Sequence, residues 1–363
     1  MNRRSFLGWG LATGALVTLG GVGGYFYRRP QVAMLSAASS GGNHYGVLLD
    51  ALGNIIQQAP LPSRAHAATF NTRTQQALFF CRRPGAQLFI VEPERGLTST
   101  VNSGVGRHFY GHGILTADQR YLLATENDYE SGEGVISIRD AERGYQLIEE
   151  IPSFGIGPHE LAFVDAATDT LIVANGGLRT HPQHSRVPIN LDTMQPNVTF
   201  IDWQKGSALS QWQPPMHQLS LRHLTVHEGT AIIGAQYQGA KMDSVPLVFS
   251  AGENSPLVSY RANGKFSAEH NQYTASVCAV NSDSVLISCP KANRVTHWYQ
   301  QQLIESVAVR DVAGVAKHKV SNAIYYSSGD GSIGRVEMAD RTLNFSPLFT
   351  HKGLRWDNHL VTV

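Results

Sequence analysis

"GHGILTADQRYLLATENDYESGEGVISIRDAERGYQLIEEI", Gly111 to Ile151, holds no apolar run at helical spacing. It holds four short alternating runs, "HGILTAD", "RYLLATE", "GVISIRD" and "YQLIEEI", separated by polar or glycine-bearing turns. That pattern specifies four antiparallel strands joined by tight turns. A second stretch, from Tyr273, repeats it as "YTASVCAV", "SVLISCP", "RVTHWYQ" and "LIESVAV".

Outward from these units a period emerges. The first strand of a unit begins with a small or polar residue, then histidine, then alternating apolar residues: "AHAATF" (His66), "GHGILT" (His112), "PHELAF" (His159), "RHLTV" (His223) and "NHLVTV" (His359). The spacings are 46, 47, 64 and 136 residues. The 64 contains an insertion, "GGLRTHPQHSRVPINLDTMQP" (Gly176 to Pro196). The 136 has room for two units without histidine, at Tyr273 and Val312. Four-stranded units of roughly 40–50 residues are the signature of a β-propeller. The expected fold is all-β: a seven-bladed β-propeller of four-stranded blades over residues 30–363. Only one strand follows His359, so strand 359–363 is expected to complete a blade with "QVAMLSAA" (Gln31 to Ala38), "NHYGVLLD" (Asn43 to Asp50) and "NIIQQAPL" (Asn54 to Leu61), closing the ring.

Bulk composition agrees. Charged residues are 16% and glycine is 35 of 363, which suits short strands and turns. A net charge of +1 argues against nucleic acid as a partner, because that needs a basic face. The three cysteines, Cys81, Cys278 and Cys289, have no metal or haem spacing and read as core thiols, with Cys278 opposite Ile287.

Residues 1–29 read as an address. "MNRRSFLG" resembles the twin-arginine export motif, and an uncharged apolar stretch follows from Gly8 to Tyr27. A periplasmic location follows, with membrane contact only through this segment if it is not cleaved. A plain membrane anchor is the alternative.

Taken together, the twin-arginine signal, "TENDY" (Thr125 to Tyr129), "GPHEL" (Gly157 to Leu161), "THPQHSRVPINLDTMQP" (Thr180 to Pro196), "QYQG" (Gln236 to Gly239) and "WDNH" (Trp356 to His359) resemble an uncharacterised bacterial family of exported propellers, the domain of unknown function fifteen-thirteen. Its members are often encoded beside imelysin-like periplasmic proteins and a cytochrome-type, dihaem-peroxidase-like protein. The resemblance implies a role near iron acquisition, with such a protein as partner. It supplies no reaction.

Equivalent positions of parallel inner strands fall at one end of the channel, so His66, His112, His159, His223 and His359 are expected to converge, with Glu160 and Asp357 beside them. Imidazoles with carboxylates suit a transition metal (iron or copper) or haem, and Asp357 or Glu160 can orient a ligating ring from behind. The alternative is a scaffold: "GH" at Gly111-His112 looks like the structural histidine of WD-repeat propellers. The insertion offers His181, His184, Arg186, Asn190 and Asp192 as a lid or further ligands. The acidic loop after Thr125 offers Glu126 and Asp128 as calcium ligands, with a solvated hairpin as the alternative. Two functions follow. One is a metal- or partner-binding periplasmic propeller. The other is a metal-dependent oxidoreductase or lactonase-like enzyme with its site at the channel mouth. No P-loop, G-x-S-x-G or H-E-x-x-H is present.

Overall fold

The computed structural model describes residues 31–363, apart from 166–168, 182 and 184–186. The expected export segment, residues 1–29, lies outside the described residues, as do His184 and Arg186.

Seven antiparallel sheets form the seven blades. Blades 1 to 6 follow the chain, and each starts with its innermost strand: Ala65–Asn71, Arg107–Leu115, Pro158–Phe163, Leu219–His227, Val277–Ala279 and Val312–Lys317. These inner strands neighbour one another in order round the ring. Among the described residues, helix is confined to the four-residue Phe266–Glu269 and short 3-10 turns.

Burial grades outward across each blade, and the side chains follow it. The second strand of blade 1, Gln76–Cys81, is apolar on both faces because neighbouring blades cover both. Its outermost strand, Gly96–Asn102, is rich in threonine and serine and half exposed. Six apolar clusters cover all seven blade-to-blade contacts. Leu78, Phe80 and Phe109 join blades 1 and 2, and Phe200, Phe249 and Trp298 run through blades 3, 4 and 5. At one such contact a Cβ on Gly113 would stand 2.4 Å from the Phe80 ring, so only glycine lets the two blades approach.

Blade 7 is built from both ends of the described chain. Met34–Ser40, Asn43–Leu49 and Ile55–Leu61 form its outer three strands. The closing strand is longer than the expected 359–363, and it is interrupted. Arg355–Trp356 pairs with Ala38 and Ser39, and Val361–Thr362 pairs with Met34 and Leu35. Between them Asp357–Leu360 leaves the ladder, because Asp357 and His359 turn toward the channel. The interruption is pinned by Asp357 N to Ala37 O (2.9 Å) and by Ser36 Oγ to His359 O (2.7 Å). Leu360 packs in the core shared with blade 6.

One register differs from expectation. Cys278 stands opposite Leu286, while Ile287 faces Val277. All three thiols are free and buried, and burial pushes Cys278 and Cys289 up to about 12.

Deleting His359–Val363 removes the Leu360 burial and the hydrogen bonds that close blade 7. Stability is expected to fall by about 4 kcal/mol or more, with the whole ring unfolding in one transition. Urea unfolding followed by circular dichroism checks this, and an unchanged midpoint would show that the ring does not depend on this strand.

Candidate metal centre in the channel

All five histidines sit where the inner strand slips against its neighbour. The register shifts bracket His66 (between Ala65 and Ala68), His112 (Phe109 and Gly113), His159 (Pro158 and Glu160) and His223 (Leu221 and Leu224). His359 lies in the gap between the two halves of the closing strand. A bulge adds a residue and re-aims its side chain. Here it turns imidazoles toward the ring axis. Blade 6 slips too, but carries Gly314 at the bulge, where a Cβ would stand 2.3 Å from Leu360 N. The crossing of the closing strand leaves no room for a sixth side chain.

The rings form one packed cluster. His112, His159, His223 and His359 follow one another in a square, with adjacent centroids 4.6–4.7 Å apart. His66 caps it, 4.5–6.1 Å from all four. All five are 2–8% exposed. Gly111 makes the cap possible: its φ is +107°, and a Cβ there would press on His66 Cδ2 at 2.9 Å. The "GH" dipeptide therefore supplies two things, a ring and the space for another ring.

The expected supporting carboxylates are in place. Asp357 Oδ1 lies 2.9 Å from His66 Nδ1, and its Oδ2 accepts from Arg64 Nε (2.8 Å) and Nη2 (2.6 Å). Glu160 Oε2 lies 3.3 Å from His223 Nδ1 and accepts from Leu224 N at 3.0 Å. Each carboxylate holds one imidazole by Nδ1 and leaves Nε2 directed into the cluster. His112 Nε2 and His359 Nε2 meet at 3.0 Å. The Nδ1 of His159 is buried without a hydrogen-bond partner among the described residues.

Burial, followed by mutual repulsion, holds His112, His159, His223 and His359 well below the usual histidine range, so these rings are neutral bases. Burial alone would raise Asp357. The hydrogen bond and charge of His66, with Arg64 and Arg82, outweigh it and keep the carboxylate ionised. Glu160 moves up, because its burial exceeds the help from His359 and Leu224 N. Three sets of donors close to within ligating distance of one another: His66 with His112 and His359, His66 with His159 and His223, and His112 with Glu160 and His223.

The family model described as "Protein of unknown function (DUF1513)" matches residues 59–363, which include all five histidines, Glu160 and Asp357. The chain belongs to the DUF1513 family. No curated protein matches it.

In this DUF1513 propeller the cluster plugs the channel rather than lining an open mouth. His66, His159 and His223 floor a cavity of about 40 Å³, with Arg82, Arg83, Arg222, Tyr110, Gln236 and Tyr273 around it. On the other side His359 and Glu160 border a wider cavity of about 560 Å³, lined by blades 4 to 7.

The other candidates stay outside the cluster. His181 meets Tyr129 edge-on at 5.9 Å and accepts from Gln183 N. Asn190 staples the insertion by bonding Arg179 N and Gly177 O, both at 2.8 Å, and Asp192 is exposed. The insertion reaches the mouth through its backbone: Leu178 O accepts from Tyr110 Oη at 3.1 Å. Glu126 is fully buried in an ion pair with Arg139 (2.7 Å), and Asp128 pairs with Arg107. Both of these carboxylates are therefore committed to guanidiniums. Arg82, Arg83, Tyr110 and Tyr273 are mouth residues that the sequence reading did not single out. Their only sequence signal is position: the arginines directly follow an apolar second strand, and Tyr110 precedes the "GH" pair.

Two outcomes follow. Asp357→Asn breaks a buried charge pair and is expected to cost about 3–5 kcal/mol in chemical unfolding; a loss below 1 kcal/mol would place the hold on His66 elsewhere. Chelator-treated protein is expected to lose stability as pH falls below about 6.5, because the unfolded chain then binds protons that four folded imidazoles refuse. Each contributes up to about 1.4 kcal/mol per pH unit. Asp357 adds to the loss at lower pH, through its folded-state pKa held below the unfolded value, and Glu160 offsets part of it. Thermal midpoints from pH 8 to 5 check this, and a flat profile would contradict it.

Proposed function

We propose that this DUF1513 propeller is an exported periplasmic protein of iron acquisition that binds a transition-metal ion in its channel. The ligands are imidazoles of His66, His112, His159, His223 and His359, with Glu160 available as an oxygen donor. One observation carries the metal reading: two buried Nε2 atoms, on His112 and His359, lie 3.0 Å apart. Metal–imidazole bonds of about 2.0–2.1 Å at angles of about 90–110° put adjacent ligand nitrogens roughly 2.9–3.4 Å apart. Without an ion, one of the two neutral rings must donate its Nε2–H to the other. A purely structural histidine needs one hydrogen-bond partner; it does not need four other imidazoles against it.

A mainly imidazole donor set suits iron, copper, zinc or nickel. The rings pack too closely for a porphyrin disc to enter among them, which favours an ion over haem. Export rests on Arg3-Arg4 and the apolar stretch behind them. The link to iron, and to an imelysin-like or cytochrome-type partner, rests on the family resemblance.

The second reading is a metal-dependent oxidoreductase. It is favoured by cavities on both sides of the cluster, which give an ion a path to an outside ligand. A lactonase-like site is supported less, because Asp357 and Glu160 already hold His66 and His223.

Elemental analysis of purified protein is expected to find about one equivalent of metal, and at most about a tenth of that in His112→Ala/His159→Ala. Equal, negligible metal in both would reject the metal site. A pull-down from iron-starved cells that recovers neither an imelysin-like nor a cytochrome-type protein would reject the partner.

A further inference from the structure

The small cavity over His66, His159 and His223 has a chemistry of its own. Three guanidiniums line it: Arg82 and Arg83, which follow the second strand of blade 1, and Arg222, which precedes His223 and is 3% exposed. Arg83 is held over the Tyr110 ring, 4.9 Å from its centroid, and donates to the Tyr110 hydroxyl. The carboxylate nearest to Arg82 is Asp357, at 3.9 Å, beyond hydrogen-bond reach and already bonded to Arg64 and His66. Among the described residues, no carboxylate lines the cavity itself. Tyr273 accepts from Asn358 Nδ2 at 3.3 Å, which leaves its own O–H to donate. His159, whose Nδ1 is buried without a partner among the described residues, lies on the floor.

Donors from four blades therefore converge on a space that offers an anion several N–H and O–H groups. Size narrows the class. One water needs roughly 10–15 Å³, so a cavity of about 40 Å³ admits about three such groups. That fits a carboxylate better than a tetrahedral phosphate. Planar guanidiniums also match the two oxygens of a carboxylate edge to edge.

We propose that the mouth is a carboxylate-binding site, seating one carboxylate group between Arg82, Arg83 and Arg222 above the histidine cluster. This deepens the metal reading, since a carboxylate there can complete the shell of an ion held by His66, His159 and His223. Its seat on the guanidiniums does not depend on that ion.

The test is calorimetric titration of the full chain, chelator-treated and metal-loaded, with acetate and with phosphate at fixed ionic strength. Acetate is expected to bind saturably in the chelator-treated protein, and more tightly than phosphate. Arg83→Gln and Arg82→Gln are each expected to weaken acetate by about tenfold or more, the loss of one charge-assisted hydrogen bond. Metal content in Arg83→Gln is expected to match wild type, which separates this site from the metal site. Absence of saturable acetate binding would overturn the proposal while leaving the metal reading standing. So would equal affinity in both folded variants, or phosphate binding more tightly than acetate. If either glutamine variant unfolds, Arg82→Lys and Arg83→Lys replace it; they keep the charge, lose the fork, and are expected to bind acetate more weakly than wild type.

Discussion

The bond between Asp357 and His66 spans 291 residues of chain, and much of the structure turns on it. Asp357 lies in the interrupted closing strand, and His66 lies in the first strand of blade 1. Arg64, two residues before His66, grips the other oxygen of the same carboxylate. One buried group thus locks blade 7 to blade 1 and sets which nitrogen of the capping imidazole faces the cluster. Burial makes that carboxylate expensive to keep charged, and only its cationic and hydrogen-bonding neighbours offset the cost. The same residue is therefore a seam of the ring and a support of its centre.

Crowding explains the rest of the centre. Five rings within one channel, four of them held neutral by burial, gain contact with one another but forgo much of the hydrogen bonding that buried nitrogens need. Bulges bring them in, Gly111 makes room for the cap, and Gly314 yields its place to Leu360. The histidines come from blades 7, 1, 2, 3 and 4, which are consecutive round the ring. Blades 5 and 6 contribute no histidine to the cluster and face the channel with Ser276, Val277, Ala279, Val315 and Ala316, together with Lys317 and Lys319. The channel thus has an imidazole arc and an arc without imidazoles, and the cluster lies against one side.

The histidine period was readable because a repeat places the same residue at the same point of each unit, and strand alternation needs no tertiary information. The supporting roles of Asp357 and Glu160 were readable too, since each adjoins a histidine of the set in sequence or across one bulge. Bulges themselves leave no such mark. An extra residue in a ladder is decided by the partner strand, which is why the closing strand breaks at Asp357; Cys278 faces Leu286 because the turn closed by Val280 N and Ser284 O sets that register. Glu126 looked like part of an acidic hairpin because its partner Arg139 lies 13 residues away, on the next strand. Arg82 and Arg83 were hidden for a similar reason: their convergence with Tyr110 and Tyr273 is a property of the ring, not of any one unit.

The interrupted closing strand also fixes an order of events. Asp357 lies 291 residues beyond its partner His66 and 293 beyond Arg64, and these two belong to blade 1. Contacts this distant in sequence form late. The histidine cluster is thus unfinished until the ring shuts, and its lining is assembled only in the surroundings in which that last step takes place.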